Sequence, residues 1–232
     1  PRNRGRLALA DPLEFDFLVL GSGIAGLFYA LRVAEHGSVA VVTKKRAADS
    51  ATNWAQGGIA AVMDPEDSFG DHIRDTLEAG AGLCRPEVVQ RVVERGPAMI
   101  EALTKLGACF DAEADPGGRF DLGREGGHSR RRILHHRDAT GREIERVLLA
   151  RVRAHPRIDV FEDHCGVDLV TARRAGRSGP DRVLGAYVLD GTHGRVDRFG
   201  ARITLLATGG AGKVYLYTTN PDIASGDGMA MA

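Results

Sequence analysis

The sequence predicts an α/β domain built on a parallel sheet, and three observations carry that expectation. A short apolar run, Phe15–Leu20, passes directly into Gly21-Ser22-Gly23-Ile24-Ala25-Gly26 and then into a helical pattern that ends at Gly37. A second buried run, Val39–Thr43, follows at once and completes a strand–turn–helix–strand unit of about 30 residues. Far downstream a third, Ile203–Ala207, again ends in glycine, at Thr208-Gly209-Gly210.

The remaining elements follow in chain order. Residues 1–14 show no periodic pattern and read as a loose leader. Residues 47–70 are small, polar and glycine-bearing, as in a long functional loop. Asp71–Glu78 and Pro86–Leu106 read as inserted helices, the second expected to break at Gly96-Pro97. An amphipathic helix covers Gly141 to about Ala154 and stops near Pro156. Ile158–Glu162, Val167–Thr171 and Val183–Leu189 read as strands, and the turn Asp190-Gly191-Thr192-His193-Gly194 leads into another, giving an antiparallel β-meander. The last five residues look like the opening of a helix without a stop signal, so the sequence suggests a truncated chain.

Composition narrows the function classes. A chain of 232 residues can bury one substantial core. Its 31 basic residues balance 31 acids, so no global field points to nucleic acid or to a membrane. The apolar stretch Phe15–Ala34 is read as neither signal peptide nor membrane span, because Asp16, several glycines and Arg32 interrupt it. Cys84, Cys109 and Cys165 are odd in number and far apart, as thiols of a reducing cytosol are.

The glycine turn carries the first chemistry. Gly21 permits a tight bend, Gly23 lets backbone approach a pyrophosphate, and Gly26 lets the helix pack closely on its strand. A dinucleotide fold usually ends its second strand in an acid that holds the ribose, but Thr43-Lys44-Lys45-Arg46 stands here. That cationic run makes an NADP site the first rival reading. Two later features favour FAD instead. Leu205–Gly210 is a second apolar strand ending in glycine, and Ser225-Gly226-Asp227-Gly228 sets a carboxylate between glycines, suited to accept hydrogen bonds from ribityl hydroxyls. The fold class is then α/β: a Rossmann-like FAD-binding domain over residues 15–232, with a parallel sheet, inserted helices and an antiparallel β-meander, its capping domain absent.

The densest charge lies in Arg124–Gly141, where many arginines and histidines surround Glu125, beside Gly126-Gly127, with Asp138 towards the far end. Neighbouring cations repel, so a plain surface loop gains nothing from this. A pocket for a small dicarboxylate does gain, because guanidinium and imidazole groups bind carboxylate oxygens in defined geometry. His135 and His136 are not read as metal ligands, since adjacent residues point to different faces and no second ligand pair is suitably spaced; no metal is expected. Arg130-Arg131-Arg132 lacks the aromatic interleaving and basic surroundings of a nucleic-acid patch.

With Thr52-Asn53-Trp54-Ala55-Gln56-Gly57-Gly58-Ile59-Ala60-Ala61 and Tyr217–Ile223, these motifs resemble the succinate dehydrogenase/fumarate reductase flavoprotein superfamily, and within it the L-aspartate oxidases. The resemblance runs from Phe15 to Ala232. It implies that Ser22, Gly23, Ile24, Ala25 and Lys44 line the ADP half of FAD. By the same resemblance, Ala51, Thr52, Asn53, Trp54, Ala55, Gln56, Gly57 and Gly58 wrap the isoalloxazine and ribityl region. Cys165 and Gly166 match adenosine-side positions, with Asp227 near the ribityl hydroxyls. Membrane-linked relatives carry a flavin-bonding histidine five residues before Gln-Gly-Gly; Ala51 stands there, so FAD is expected to be held non-covalently.

The implied reaction is oxidation of L-aspartate to iminoaspartate with oxygen or fumarate as acceptor, the first step of quinolinate and NAD biosynthesis. It implies a cytoplasmic enzyme with small-molecule partners only, and no feature specifies an oligomeric state. Glu125 is the discriminating residue. A second acid has no use in a succinate site, whereas the ammonium of an amino acid can be bound and oriented by it. In the bland alternative Glu125 pairs with Arg124 or Arg130. Trp54 either covers a ring system or packs in the core. No general base is named. The competing readings are a soluble fumarate reductase or succinate dehydrogenase-type flavoprotein, and a catalytically incomplete FAD-binding module.

Overall fold

The computed structural model describes residues 12–114 and 118–232. In chain order the elements begin β1 (Leu13–Leu20), α1 (Ile24–Val33), β2 (Val39–Val42), α2 (Ala51–Trp54), β3 (Ile59–Ala60), α3 (Phe69–Ala79) and α4 (Pro86–Leu106). They continue with β4 (Leu122–Gly123), β5 (Ile133–Leu134), α5 (Thr140–Arg153), β6 (Ile158–Phe161), β7 (His164–Thr171), β8 (Val183–Asp190), β9 (Arg195–Leu206) and α6 (Asp227–Met231). The chain divides into two units, one holding residues up to Ala51 and from Leu148 onward, the other Thr52–Val147.

The first unit is one six-stranded sheet in the order β6-β2-β1-β9-β8-β7. The first four strands are mutually parallel, and β7, β8 and β9 form the antiparallel meander. β1 lies between β2 and β9; the chain leaves β1 through α1 toward β2 on one side, and leaves β9 toward α6, which packs on β7 at the other. Open α/β sheets hold their ligands at such a switch point. β2 is buried along its whole length, which accounts for its unbroken Val-Ala-Val-Val. The core joins Leu18, Leu20, Ala40 and Val42 to Ala186, Val188 and Phe199, with Phe161 edge-on to Phe199 at 4.9 Å.

Two sequence expectations change here. Most of the leader, residues 1–11, lies outside the described residues, but its last part does not: β1 begins at Leu13 and pairs there with Phe199 of β9. The strand after the Asp190–Gly194 turn and the strand Ile203–Ala207 are one strand. β9 pairs antiparallel with β8 over Arg195–Gly200 and parallel with β1 over Phe199–Leu206. The exposed Arg198 and Arg202 interrupt its apolar pattern without interrupting its backbone.

The second unit packs α3 and α4 with a small sheet, β3-β5-β4. Ala61, Ile100, Leu122 and Leu134 form its core, joined by Ile59, Met63, Phe110 and Phe120. Ser68 caps α3 by accepting a hydrogen bond from the Asp71 N–H at 3.0 Å, which starts that helix two residues before the expected Asp71. α4 does not break at Gly96-Pro97; it runs for 21 residues with Pro97 inside. A proline disfavours helix in the residue before it through a clash with that residue's Cβ, and Gly96 has none. A Cβ on Gly96 would also sit 3.4 Å from that of Ala61. The 47–70 stretch is not all loop, since it contains α2 and β3.

Candidate functional site

In the first unit backbone hydrogen bonds join the C-terminal ends of β1, β2 and β9. The Gly21 N–H donates to the Val42 carbonyl and the Ala207 N–H to the Leu20 carbonyl, both at 2.8 Å. Gly21 has φ +116°, and a Cβ there would lie 2.2 Å from the Ala207 oxygen. A Cβ on Gly26 would lie 2.0 Å from the Gly21 oxygen. Only glycine permits both approaches. The N-cap of α1 is Gly23, which brings no side chain to that turn. Across from it, nothing lies within 4 Å of where a Cβ would stand on Gly209 or Gly210, so the end of β9 presents bare backbone to open space. Ile24 and Ala25 form the first turn of α1. This bare-backbone cradle beside a helix N-terminus fits the pyrophosphate of a dinucleotide.

The side chains around the cradle are tied to one another. Ser22 turns inward: its hydroxyl donates to the Ala47 carbonyl at 2.8 Å and lies 3.0 Å from the Thr43 hydroxyl. Any contact it makes in the cradle therefore comes from backbone. Lys44 Nζ lies 2.6 Å from Asp227 and also donates to Ser225 Oγ, which in turn donates to Asp227 at 2.8 Å. Burial works to raise the Asp227 carboxyl, but Lys44 and Ser225 outweigh it and hold the group below the usual carboxylate range. Thr208 Oγ1 accepts the Gly228 N–H at 3.0 Å and so joins the two glycine-rich segments. Cys165 and Gly166 lie on β7, a Cβ on Gly166 falling 3.3 Å from Leu20 and 3.5 Å from Met231. Burial, then the charge of Asp227, pushes the Cys165 thiol up, which leaves it a poor nucleophile.

In the second unit Thr52–Gly58 leads from the short helix α2 into β3. The Gly141 N–H donates to the Ala55 carbonyl at 3.0 Å, and a Cβ on Gly141 would lie 1.8 Å from the Thr52 oxygen. Gly58 has φ +155°, with its Cβ position 2.4 Å from the Leu134 oxygen. A Cβ on Gly57 would stand 3.0 Å from Glu125 Oε1, so the Gln56-Gly57-Gly58 segment and Glu125 share one place. Trp54 is 63% exposed and does not pack in a core.

Glu125 lies in the loop joining β4 to β5. Its carboxylate is exposed and makes no hydrogen bond or ion pair with any described residue. The expected alternative of a pair with Arg124 or Arg130 is not what forms: Arg124 Nε donates to the His128 carbonyl at 2.7 Å.

Within the arginine run, sequence reasoning missed the residue that matters most to this unit. Arg132 is fully buried, bidentate to Asp67 at 2.8 and 2.9 Å, and 2.6 Å from Asp75. Asp75 Oδ2 also accepts the Ser129 N–H and hydroxyl, each at 2.7 Å. Burial would raise the Asp75 carboxyl, yet Ser129 and Arg132 outweigh it and hold it well below the usual range. No local pattern links Arg132 to an acid 65 residues away. One step along α3, His72 is buried and meets the His128 ring edge-on at 6.2 Å.

Comparisons with known proteins agree with this layout. The family model of the FAD binding domain matches residues 16–232. "L-aspartate oxidase 1" of Ralstonia nicotianae is 53% identical over 222 residues, covering 95% of this chain and 41% of its own. The chloroplastic L-aspartate oxidase of Arabidopsis thaliana is 51% identical, with 94% and 33% covered. Among solved structures, a mutant form of the E. coli quinol fumarate reductase chain FrdA superposes with a TM-score of 0.87 at 31% identity, covering 95% of this chain and 37% of that one. A flavocytochrome c3 fumarate reductase gives 0.82 at 26%, with 96% and 41% covered. The chain thus spans about two fifths of the length of the bacterial relative it matches. With a bare-backbone cradle at the sheet switch point and a family match from the first strand to the last residue, the chain belongs to the FAD binding domain family.

Proposed function

We propose that this chain supplies the FAD-binding portion, and one wall of the active site, of an enzyme that oxidises L-aspartate to iminoaspartate with oxygen or fumarate as acceptor. That reaction opens de novo quinolinate and NAD biosynthesis, and the protein is assigned to the cytoplasm. The observation that carries the reading is Glu125: an exposed carboxylate without a partner among the described residues, against Gly57, in a loop otherwise rich in cations. In a dicarboxylate site such a group is repelled by succinate and attracted by the ammonium of aspartate.

FAD supplies hydride acceptance when bound. The chain's own residues hold and orient. Gly23, with Ile24 and Ala25 of the first helical turn, offers backbone to the pyrophosphate, while Gly21 makes the bend and Gly26 the close approach of helix to strand. Lys44 and Asp227 stand at the same strand ends, the lysine for the ADP half and the acid for the ribityl hydroxyls. Cys165 and Gly166 are assigned to the adenosine side. Ser22 contributes through its main chain. Thr52–Gly58 encloses the ring, and Glu125 orients the substrate ammonium. Ala51 has no nucleophile with which to bond the flavin, so attachment is non-covalent.

The test uses the full protein. Flavin should leave with the supernatant on acid precipitation. Glu125→Gln should lower kcat/KM for aspartate by about tenfold or more, the cost of losing a hydrogen bond to a charged group, while fumarate reduction persists. Unchanged aspartate kinetics would favour the second reading, a soluble fumarate reductase, to which the 31% identical FrdA chain lends support.

A further inference from the structure

Among the described residues Glu125 has no side-chain partner, so something other than its own contacts must fix where its carboxylate stands. We propose that the buried Asp67–Arg132–Asp75 cluster is that device, with Asp75 and Arg132 as positioning residues that hold the Glu125 loop through Ser129. This rests on the reading of Glu125 given above.

Four features point to it. The cluster is costly: Arg132 and Asp67 are 0% and 1% exposed and Asp75 is 8% exposed. Buried ion pairs are seldom more stabilising than apolar residues of similar volume, so stability alone does not account for one. It also ties together four separate segments: the turn before α3, α3 itself, the Glu125 loop and the start of β5.

Third, the loop is closed on itself between Glu125 and Ser129. Arg124 Nε holds the His128 carbonyl, the His128 N–H donates to the Glu125 carbonyl at 3.2 Å, and Gly127 takes φ +85°. Anchoring Ser129 therefore anchors Glu125 as well. Fourth, both hydrogen-bond donors of Ser129 go to one oxygen of Asp75, the oxygen that also takes Arg132 Nη1. The loop's place is thus set by a shared carboxylate whose own position is set by a buried guanidinium. His128 against His72, and Gly127 against Ala79 (3.7 Å from a Cβ to its methyl), seat the loop along the same helix.

The test is a double-mutant cycle in the full protein with FAD bound. Asp75→Asn should accelerate amide hydrogen exchange over residues 125–129 and lower kcat/KM for aspartate about tenfold. FAD affinity should stay within about twofold, because Asp75 makes no contact in the cradle. Ser129→Ala should act in the same direction more weakly, and it keeps the experiment decisive where Asp75→Asn fails to fold. In a Glu125→Gln background neither change should lower kcat/KM further, since the group being positioned is gone.

Equal losses in both backgrounds, or unchanged exchange in the loop, would overturn the proposal. If Glu125→Gln alone leaves aspartate turnover unchanged, the functional reading fails. The exchange measurement then still decides whether the cluster holds the loop.

Discussion

In the first unit, strand ends converge by removing side chains: Gly21, Gly26, Gly209 and Gly210 bring backbone against backbone or leave it bare. In the second, chain segments converge by burying charge, with Arg132 between Asp67 and Asp75. The two constructions fail differently. A glycine contact tolerates no added atom, but it carries no charge to strand. A buried ion cluster holds as long as every member is present, and each member becomes a liability when its partner is lost.

The largest effect expected follows from that contrast. Arg132→Met leaves two buried carboxylates facing each other, and should destabilise the protein by about 3–5 kcal/mol in urea unfolding. A loss below about 1 kcal/mol would mean that water already reaches the cluster. Next, Gly21→Ala places a methyl against the Ala207 carbonyl and forces a left-handed φ on alanine. Strain of about 1–3 kcal/mol should appear as roughly 5- to 150-fold weaker FAD binding by flavin fluorescence. Unaltered affinity would show that the end of β9 moves freely away from the turn.

The smallest effect concerns acid. Burial, then the charges of Arg132 and His128, lowers the His72 imidazole below its usual range, against the pull of Asp67 and Asp75. The folded unit keeps His72 neutral where the unfolded chain would protonate it. Its contribution is present above the unfolded pKa of about 6.5, and is lost as pH falls through the lowered folded value. The melting temperature should therefore fall from about pH 7 to pH 5, less steeply in His72→Gln. Identical slopes would place the acid sensitivity elsewhere; Asp75, held far lower, titrates outside that window.

The β1–α1–β2 unit was legible because its signals are consecutive: an apolar run, three glycines at fixed spacing, a helix and a second run. The meander was legible in outline, but its last strand was split in two because Arg198 and Arg202 mimic a break. The helix through Pro97 was misjudged because one lost N–H and a ring against the preceding turn are outweighed within a 21-residue helix, and Gly96 presents no Cβ to the proline ring. The glycine-rich segments of the first unit come together through the contacts of Gly21 with Ala207, Gly226 with Gly210 and Gly228 with Thr208. The arginine run did not resolve itself: Arg130 and Arg131 remain exposed while Arg132 is wholly buried.

By itself the sequence determined the glycine turns, the order of strands and helices around them, and the presence of Glu125 among many cations. Those follow from backbone freedom and periodicity, which are properties of neighbours in the chain. Only the tertiary structure decided that Lys44 meets Asp227, that Arg132 lies between two distant acids, and that Glu125 is left without a partner among the described residues. A charge's role depends on which groups replace its water, and those groups are brought together only when the chain has folded.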